Sequence, residues 1–199
     1  LPVIVAILLI LVIGGCALGK VLLDKYSYSK EEADWNEFYQ VSENDRSAII
    51  LQNEMVEEQA LIKDGVCYFD LATVHKYMNE VFYADMTENL LLYATPTEVI
   101  RTIFGETAYT TTEGTQEAGY VISFADGDNV YVAADYVKLF TNYSYECYDR
   151  HVQVRTEWGT RQVAQLKKDT AVRLRGGVKS PILTQAVKGD TLEILEQME

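Results

Sequence analysis

The sequence predicts a mainly β fold with short helices (α+β), built from small units, behind an N-terminal transmembrane helix. Three observations carry this expectation. Leu1 to Gly19 contains no charged residue. A pattern of turn, short strand and short helix occurs at Lys63 to Asn79 and again 63 residues later. After Gln162 the texture changes to short β-branched runs separated by Gly-, Ser- and Pro-containing loops.

The opening run, LPVIVAILLILVIGGCALG, would span about 28 Å as a helix, close to a bilayer core of about 30 Å. Length and lack of charge make residues 1–23 the expected contact with a lipid bilayer, as a single-pass anchor with the following residues extracytoplasmic. Ile13-Gly14-Gly15-Cys16 resembles a relaxed bacterial lipobox, which makes Cys16 a candidate for lipidation. Ala17-Leu18 and Val21-Leu22-Leu23 continue the apolar run past that cysteine, which favours an uncleaved helix. Gly15 and Gly19 form one small-residue pair, a weak helix-association signal. The chain begins on Leu1 rather than Met and stops after a strand-like run at Thr191 to Leu195. Both ends read as cut, with further sequence expected on either side.

Residues 24–44 read as a helical spacer. Ser29-Lys30-Glu31-Glu32 fits a Ser-x-x-Glu capping box, and Trp35, Phe38 and Tyr39 follow at helical spacing. Ala48 to Leu51 and Ala60 to Ile62 read as strands. Asp64-Gly65 is a hairpin turn pair, because glycine tolerates the positive φ that tight hairpins need. Val66 to Phe69 is a strand, Asp70 an N-cap, and Leu71, Val74 and Tyr77 or Met78 lie at helical spacing. Val81 to Ala84 and Leu90 to Tyr93 form a strand pair. Glu98 to Phe104 and Ala108 to Thr112 are further strands, and Thr111 to Gly119 reads as a polar loop.

The second use of the pattern has Asp126-Gly127-Asp128-Asn129 as turn, Val130 to Val132 as strand and Asp135 to Thr141 as helix. At an offset of 63, Tyr68 matches Tyr131, Val74 matches Val137, Asn79 matches Asn142 and Phe82 matches Tyr145. Tyr120 to Phe124 leads into this unit. Tyr145 to Tyr148 and His151 to Thr156 close it. The expected units are therefore 45–110 and 111–160. Past them, Val163 to Leu166, Thr170 to Arg175, Ile182 to Thr184 and Thr191 to Leu195 are strands of a partial barrel over 161–199.

Charge is unevenly spread. Residues 21–150 hold 8 Lys and Arg against 24 Asp and Glu, whereas residues 151–199 hold 8 against 6. So acidic a middle repels polyanions, which excludes nucleic acid as a partner there. Lys167, Lys168, Arg173, Arg175 and Lys179 could meet an anionic wall polymer, although a solvated edge strand is the preferred reading. Fourteen tyrosines could offer sugar-stacking faces or serve as ordinary strand residues.

The residues give no catalytic, cofactor or metal set. Asp126-x-Asp128 sits in a turn, and as a calcium loop it fails because Val130 replaces the next oxygen ligand and no Glu follows at the twelfth position. His75 and His151 have no nucleophile or carboxylate at triad-like local spacing. Cys67 and Cys147 lie on strands of different units. They are expected as buried free thiols, with a disulfide as the alternative in an oxidising exterior.

A strand hairpin, a short helix and an aromatic hairpin, with DG turns and FDLATV or YVAADYV cores, resemble the copper amine oxidase N-terminal-like domain of exported bacterial proteins. That name brings no copper here, since copper would want His or Cys ligands. The run AVRLRGG…SPILTQAVKGDTLEILEQ resembles the opening half of a bacterial SH3-type domain. Anchor, spacer, two such units and an SH3-type start together resemble the front of Firmicutes membrane-anchored proteins that continue into a glycoside hydrolase family 18 domain. The resemblance implies a non-catalytic, membrane-tethered stalk that associates with cell-wall polysaccharide or peptidoglycan. The alternative is an autonomous peptidoglycan- or carbohydrate-binding module. The family's acidic catalytic run, D-x-x-D-x-D-x-E, does not occur in these residues.

Overall fold

The computed structural model describes residues 2–156 and 163–194, with side chains described from residue 14 onward. The structure is mostly β with a few short helices. Two compact units are present, one of Leu1–Asp34 together with Gln162–Glu199 and one of Trp35–Arg161.

The first unit begins with helix α1 (Pro2–Tyr26). Among the described residues no helix is long and apolar enough to cross a membrane. The expected transmembrane helix over residues 1–23 is corrected accordingly. From Gly14 to Tyr26 the helix carries Lys20, Asp24 and Lys25 and three glycines, so charge interrupts the part of the helix whose side chains are described, where a span would stay apolar. The chain then leaves the helix rather than continuing as a helical spacer. Ser29 accepts from the amide of Glu31 at 3.1 Å, a local turn, and no capping box forms. The reason is competition for the backbone. Ser29 and Ala33 donate to the carbonyls of Val178 and Ile182, and Ile182 donates to Glu31, so residues 29–33 run as an extended strip.

The second unit opens with α2 (Trp35–Tyr39). It continues through β1 (Arg46–Leu51), β2 (Glu54–Lys63), β3 (Val66–Asp70), α3 (Leu71–Tyr77), β4 (Phe82–Asp85), β5 (Leu90–Ala94), β6 (Val99–Ile103), β7 (Ala108–Thr111) and β8 (Gly114–Glu117). Then come β9 (Ser123–Asp126), β10 (Asn129–Ala133), α4 (Ala134–Lys138), β11 (Ser144–Cys147) and β12 (His151–Arg155). A seven-stranded sheet has the order β11-β12-β1-β2-β3-β10-β9, and β4 to β8 form a five-stranded antiparallel meander.

The internal repeat is visible in the hydrogen bonds. The β2–β3 turn closes between Lys63 and Val66, and the β9–β10 turn closes between Asp126 and Asn129. Both closing positions differ by 63. In the first turn Asp64 and Gly65 both take positive φ (52° and 79°), the type I′ arrangement that matches strand twist. Strands β3 and β10 then pair antiparallel with Phe69 opposite Val132, equivalent positions at the same offset. A local two-fold axis therefore runs between the copies. The helices follow suit, with Val74 and Val137 buried at matching positions.

The copies are not separate units, as the sequence suggested, because their strands share one sheet. They also diverge after the helix. β4 and β5 leave to start the meander, whereas β11 and β12 return, and β12 pairs parallel with β1. One core results, with Phe69, Val74, Phe82, Val132, Tyr136, Val137 and Val154 all buried. The meander is tied in by rings: Phe82 lies 6.2 Å from Tyr136, Tyr93 stacks on Phe140 at 4.3 Å, and Tyr109 meets Tyr136 edge-on at 5.3 Å.

The first unit is completed by β13 (Val163–Gln165), β14 (Thr170–Arg173), β15 (Ile182–Ala186) and β16 (Thr191–Glu193). They form two antiparallel ladders, β13 with β16 and β14 with β15. The strip at residues 29–33 adds a parallel bridge from Glu32 to Ile182. Leu195, the end of the last expected strand, lies outside the described residues.

Candidate functional site

The cleft best suited to a ligand lies in the first unit, where the loop after β14 faces the strip that follows α1. Its volume is 440 Å³, and its lining includes Tyr28, Thr170, Arg173, Arg175, Gly176 and Gly177. No Asp or Glu lines it. The loop is shaped by backbone bonds from Leu174 to Pro181 and from Ser180 to Gly177. Gly177 sits at φ 109°, a conformation that side chains with a Cβ rarely adopt. The Ser180 hydroxyl accepts from the Arg175 amide at 2.8 Å, which sets the start of the loop.

The cations of the cleft have different duties. Arg173 lies 5.6 Å over the Tyr28 ring and donates to the carbonyls of Ser29, at 3.1 Å, and Ser180. Those partners are neutral, so the guanidinium charge is not offset by a carboxylate among the described residues. Arg175 is exposed, and its guanidinium makes no ion pair among the described residues. Lys179 is used structurally: its ammonium donates to the Asp24 carbonyl and to the Ser27 hydroxyl, placing a cation at the C-terminus of α1, where the helix dipole favours it. Lys167 and Lys168 are exposed on the turn between β13 and β14. Tyr28 is 69% exposed.

An open aromatic ring under one guanidinium, with a second arginine lining the same cleft, can take a ligand with an apolar sugar face and an anionic group. A guanidinium's fork of donors matches a carboxylate or phosphate bidentately, and a tyrosine face stacks against the C–H side of a pyranose much as it packs on any apolar surface.

Two further clefts lie in the second unit. One, of 510 Å³, lies beside the paired turns and is lined by Asp45, Arg46, Lys63, Asp64, Phe124 and Asp126 among others. Its cations are already engaged. Arg46 donates to the Tyr131 hydroxyl at 3.0 Å and pairs with Glu43 at 3.5 Å, while Lys63 sits 4.4 Å over the Phe124 ring. The other, of 310 Å³, lies on the meander around Arg101, Thr102 and Glu106.

Of the residues singled out by sequence, Cys16 is exposed on α1, Cys67 is buried on β3 and Cys147 is exposed on β11. Each of the last two is the largest influence on the other's acidity, with the pKa of Cys67 raised and that of Cys147 lowered. His75 shares a 2.7 Å hydrogen bond with the Phe82 carbonyl. His151 is stacked between Tyr39, at 4.8 Å, and Tyr148, at 4.6 Å. Burial there holds its pKa below the ordinary histidine value. Asp126 and Asp128 flank Gly127 in the tight β9–β10 turn. Among the described residues no group of three His, Cys, Asp or Glu side chains is placed to hold a metal ion.

Sequence reasoning missed Tyr28 as a lining residue. The signal was there in Tyr26-Ser27-Tyr28-Ser29, where hydroxyl residues between aromatics mark the end of α1 and the start of the extended strip. Compared with known proteins, the chain has no matching family model, curated protein or solved structure.

Proposed function

We propose that this chain is a non-catalytic, extracytoplasmic region of a larger wall-active protein, and that it associates with cell-wall polymer. The observation that supports this reading is the cleft of Tyr28, Arg173 and Arg175, in which an exposed ring adjoins the Arg173 guanidinium, a second arginine lines the wall, and no carboxylate does. A wall glycan decorated with carboxylates or phosphates has both features the cleft can hold. The resemblance of the chain to the front of wall-directed glycoside hydrolase family 18 proteins points the same way. In this reading the chain contributes local concentration: holding an attached hydrolase at its polymer raises the effective concentration of substrate without adding a catalytic group.

The test is co-sedimentation of the chain with purified cell wall, before and after anionic polymers are stripped from it. The chain is expected to pellet with intact wall and to stay in the supernatant with stripped wall. It is also expected to leave chitin- and peptidoglycan-type substrates uncut. A chain that remains soluble with intact wall contradicts the reading, and so does measurable turnover.

A further inference from the structure

Strand β11 is the edge of the seven-stranded sheet and is four places from β3 in strand order. The sheet nevertheless curls far enough to bring their faces together. Side chains two apart on a strand share a face, so Cys67 and Phe69 point one way from β3, and Tyr143, Tyr145 and Cys147 share one face at β11. The Phe69 and Tyr145 rings meet at 6.4 Å, nearly perpendicular. Tyr143 stacks beside Tyr145 at 6.1 Å and donates its hydroxyl to the Ala134 carbonyl. These contacts seat β11 over β3, and two residues further along the same faces come Cys67 and Cys147, both free and near enough that each is the largest influence on the other's acidity.

We propose that Cys67 and Cys147 are a disulfide-forming pair, which a small-molecule disulfide oxidises to a covalent staple between β3 and β11. The chemistry suits the two environments. Cys147 is exposed, and its neighbour Cys67 lowers its pKa, so it supplies the attacking thiolate. Cys67 is buried, and its pKa is raised by the neighbouring Cys147 and by burial. In the first step the Cys147 thiolate attacks one sulfur of the small disulfide and expels a small thiolate, leaving a mixed disulfide. In the second, Cys67 gives its proton to solvent base, attacks the Cys147 Sγ and expels the second small thiolate. Two protein thiols are oxidised and one small disulfide is reduced to two thiols, which balances protons and electrons. The staple closes a loop over most of the second unit, so its effect on the unfolded chain is large. It requires no wall ligand and stands apart from the function proposed above.

The experiment uses the full chain carrying Cys16→Ser, so that two thiols remain. It is incubated with oxidised glutathione, denatured, alkylated and weighed. The expected product carries no alkyl group and no glutathione, is lighter by two hydrogens, and yields a crosslinked Cys67–Cys147 peptide on digestion. Its thermal midpoint is expected to rise by about 10 °C, with no rise in a chain carrying Cys147→Ser as well. A stable glutathione adduct on Cys147 with Cys67 still alkylatable, or recovery of both thiols, overturns the pair. A crosslinked product with an unchanged midpoint overturns the staple.

Discussion

The two units solve the problem of holding a shape in opposite ways. Trp35–Arg161 is built around a deep core in which Phe69, Val74, Val132 and Tyr136 are buried. In the other unit Ala186 is the one buried apolar side chain among the described residues. That unit is held by backbone pairing of residues 29–33 with the strand module, and by Arg173 and Lys179 donating to carbonyls. Charge divides just as unevenly. The cored unit has 8 Lys and Arg against 21 Asp and Glu, while the other has 9 against 9. The net charge of −13 therefore belongs to the cored unit. The difference teaches where a polyanion can approach: an acidic frame repels it, while the small, charge-balanced unit lines one cleft with two arginines that make no ion pair among the described residues.

The contrast can be broken most forcefully from the core side. Phe69→Ala removes a fully buried ring at the centre of the local two-fold and is expected to cost about 4 kcal/mol. Amide exchange should accelerate together in β3, β10 and β11, because one core serves both copies of the repeat. Acceleration confined to residues 54–77 would show that the copies fold as separate units.

On the other side, Arg173→Ala removes a charged donor shared by two carbonyls and is expected to cost about 2 kcal/mol. Its signature should be faster exchange at the amides of Ser29, Ala33 and Ile182, with Phe69 and Val132 unchanged. Equal loosening of the core amides would contradict the division.

The smallest effect concerns pH. His151 is stacked between two tyrosines, and its folded pKa lies below the unfolded value of 6.5. Between the two values the unfolded chain binds more protons, so stability rises with pH there. The contribution is complete above the unfolded value and is lost as pH falls through it toward the depressed folded value. His151→Phe should flatten the urea midpoint across that window. A midpoint that keeps its slope in the variant would place the titrating group elsewhere.

How much of this was legible in the sequence depended on whether a signal was local. Asp70 caps α3 as its type and position suggest, accepting from the Thr73 amide at 2.7 Å. The turns at Asp64-Gly65 and Gly127-Asp128 were equally readable, because glycine placement marks them. The 63-residue repeat was legible too, but not its consequence. Pairing of β3 with β10, and of β12 with β1 in parallel, joins residues far apart in sequence, and no local residue specifies that choice. Strand β8 was mistaken for loop because each of its residues is exposed, so no apolar alternation marks it. The same limit hid the candidate site. Arg173, Arg175 and Lys179 were visible as basic positions, yet only the fold separates Lys179, tied to the end of α1, from Arg175, which faces solvent. The meeting of Cys67 with Cys147 likewise depends on how far the sheet curls, which no strand records.

The wall-binding claim is tested most directly by comparing two charge changes in one binding assay. Affinity of the full chain for purified wall would be measured for Arg175→Glu, in the cleft, and for Glu113→Gln, exposed on the turn between β7 and β8 of the acidic unit. The expected result is a loss of about tenfold or more for Arg175→Glu, equivalent to about 1.4 kcal/mol, with Glu113→Gln leaving affinity unchanged or slightly improved. Unchanged affinity in Arg175→Glu would contradict the assignment of the cleft.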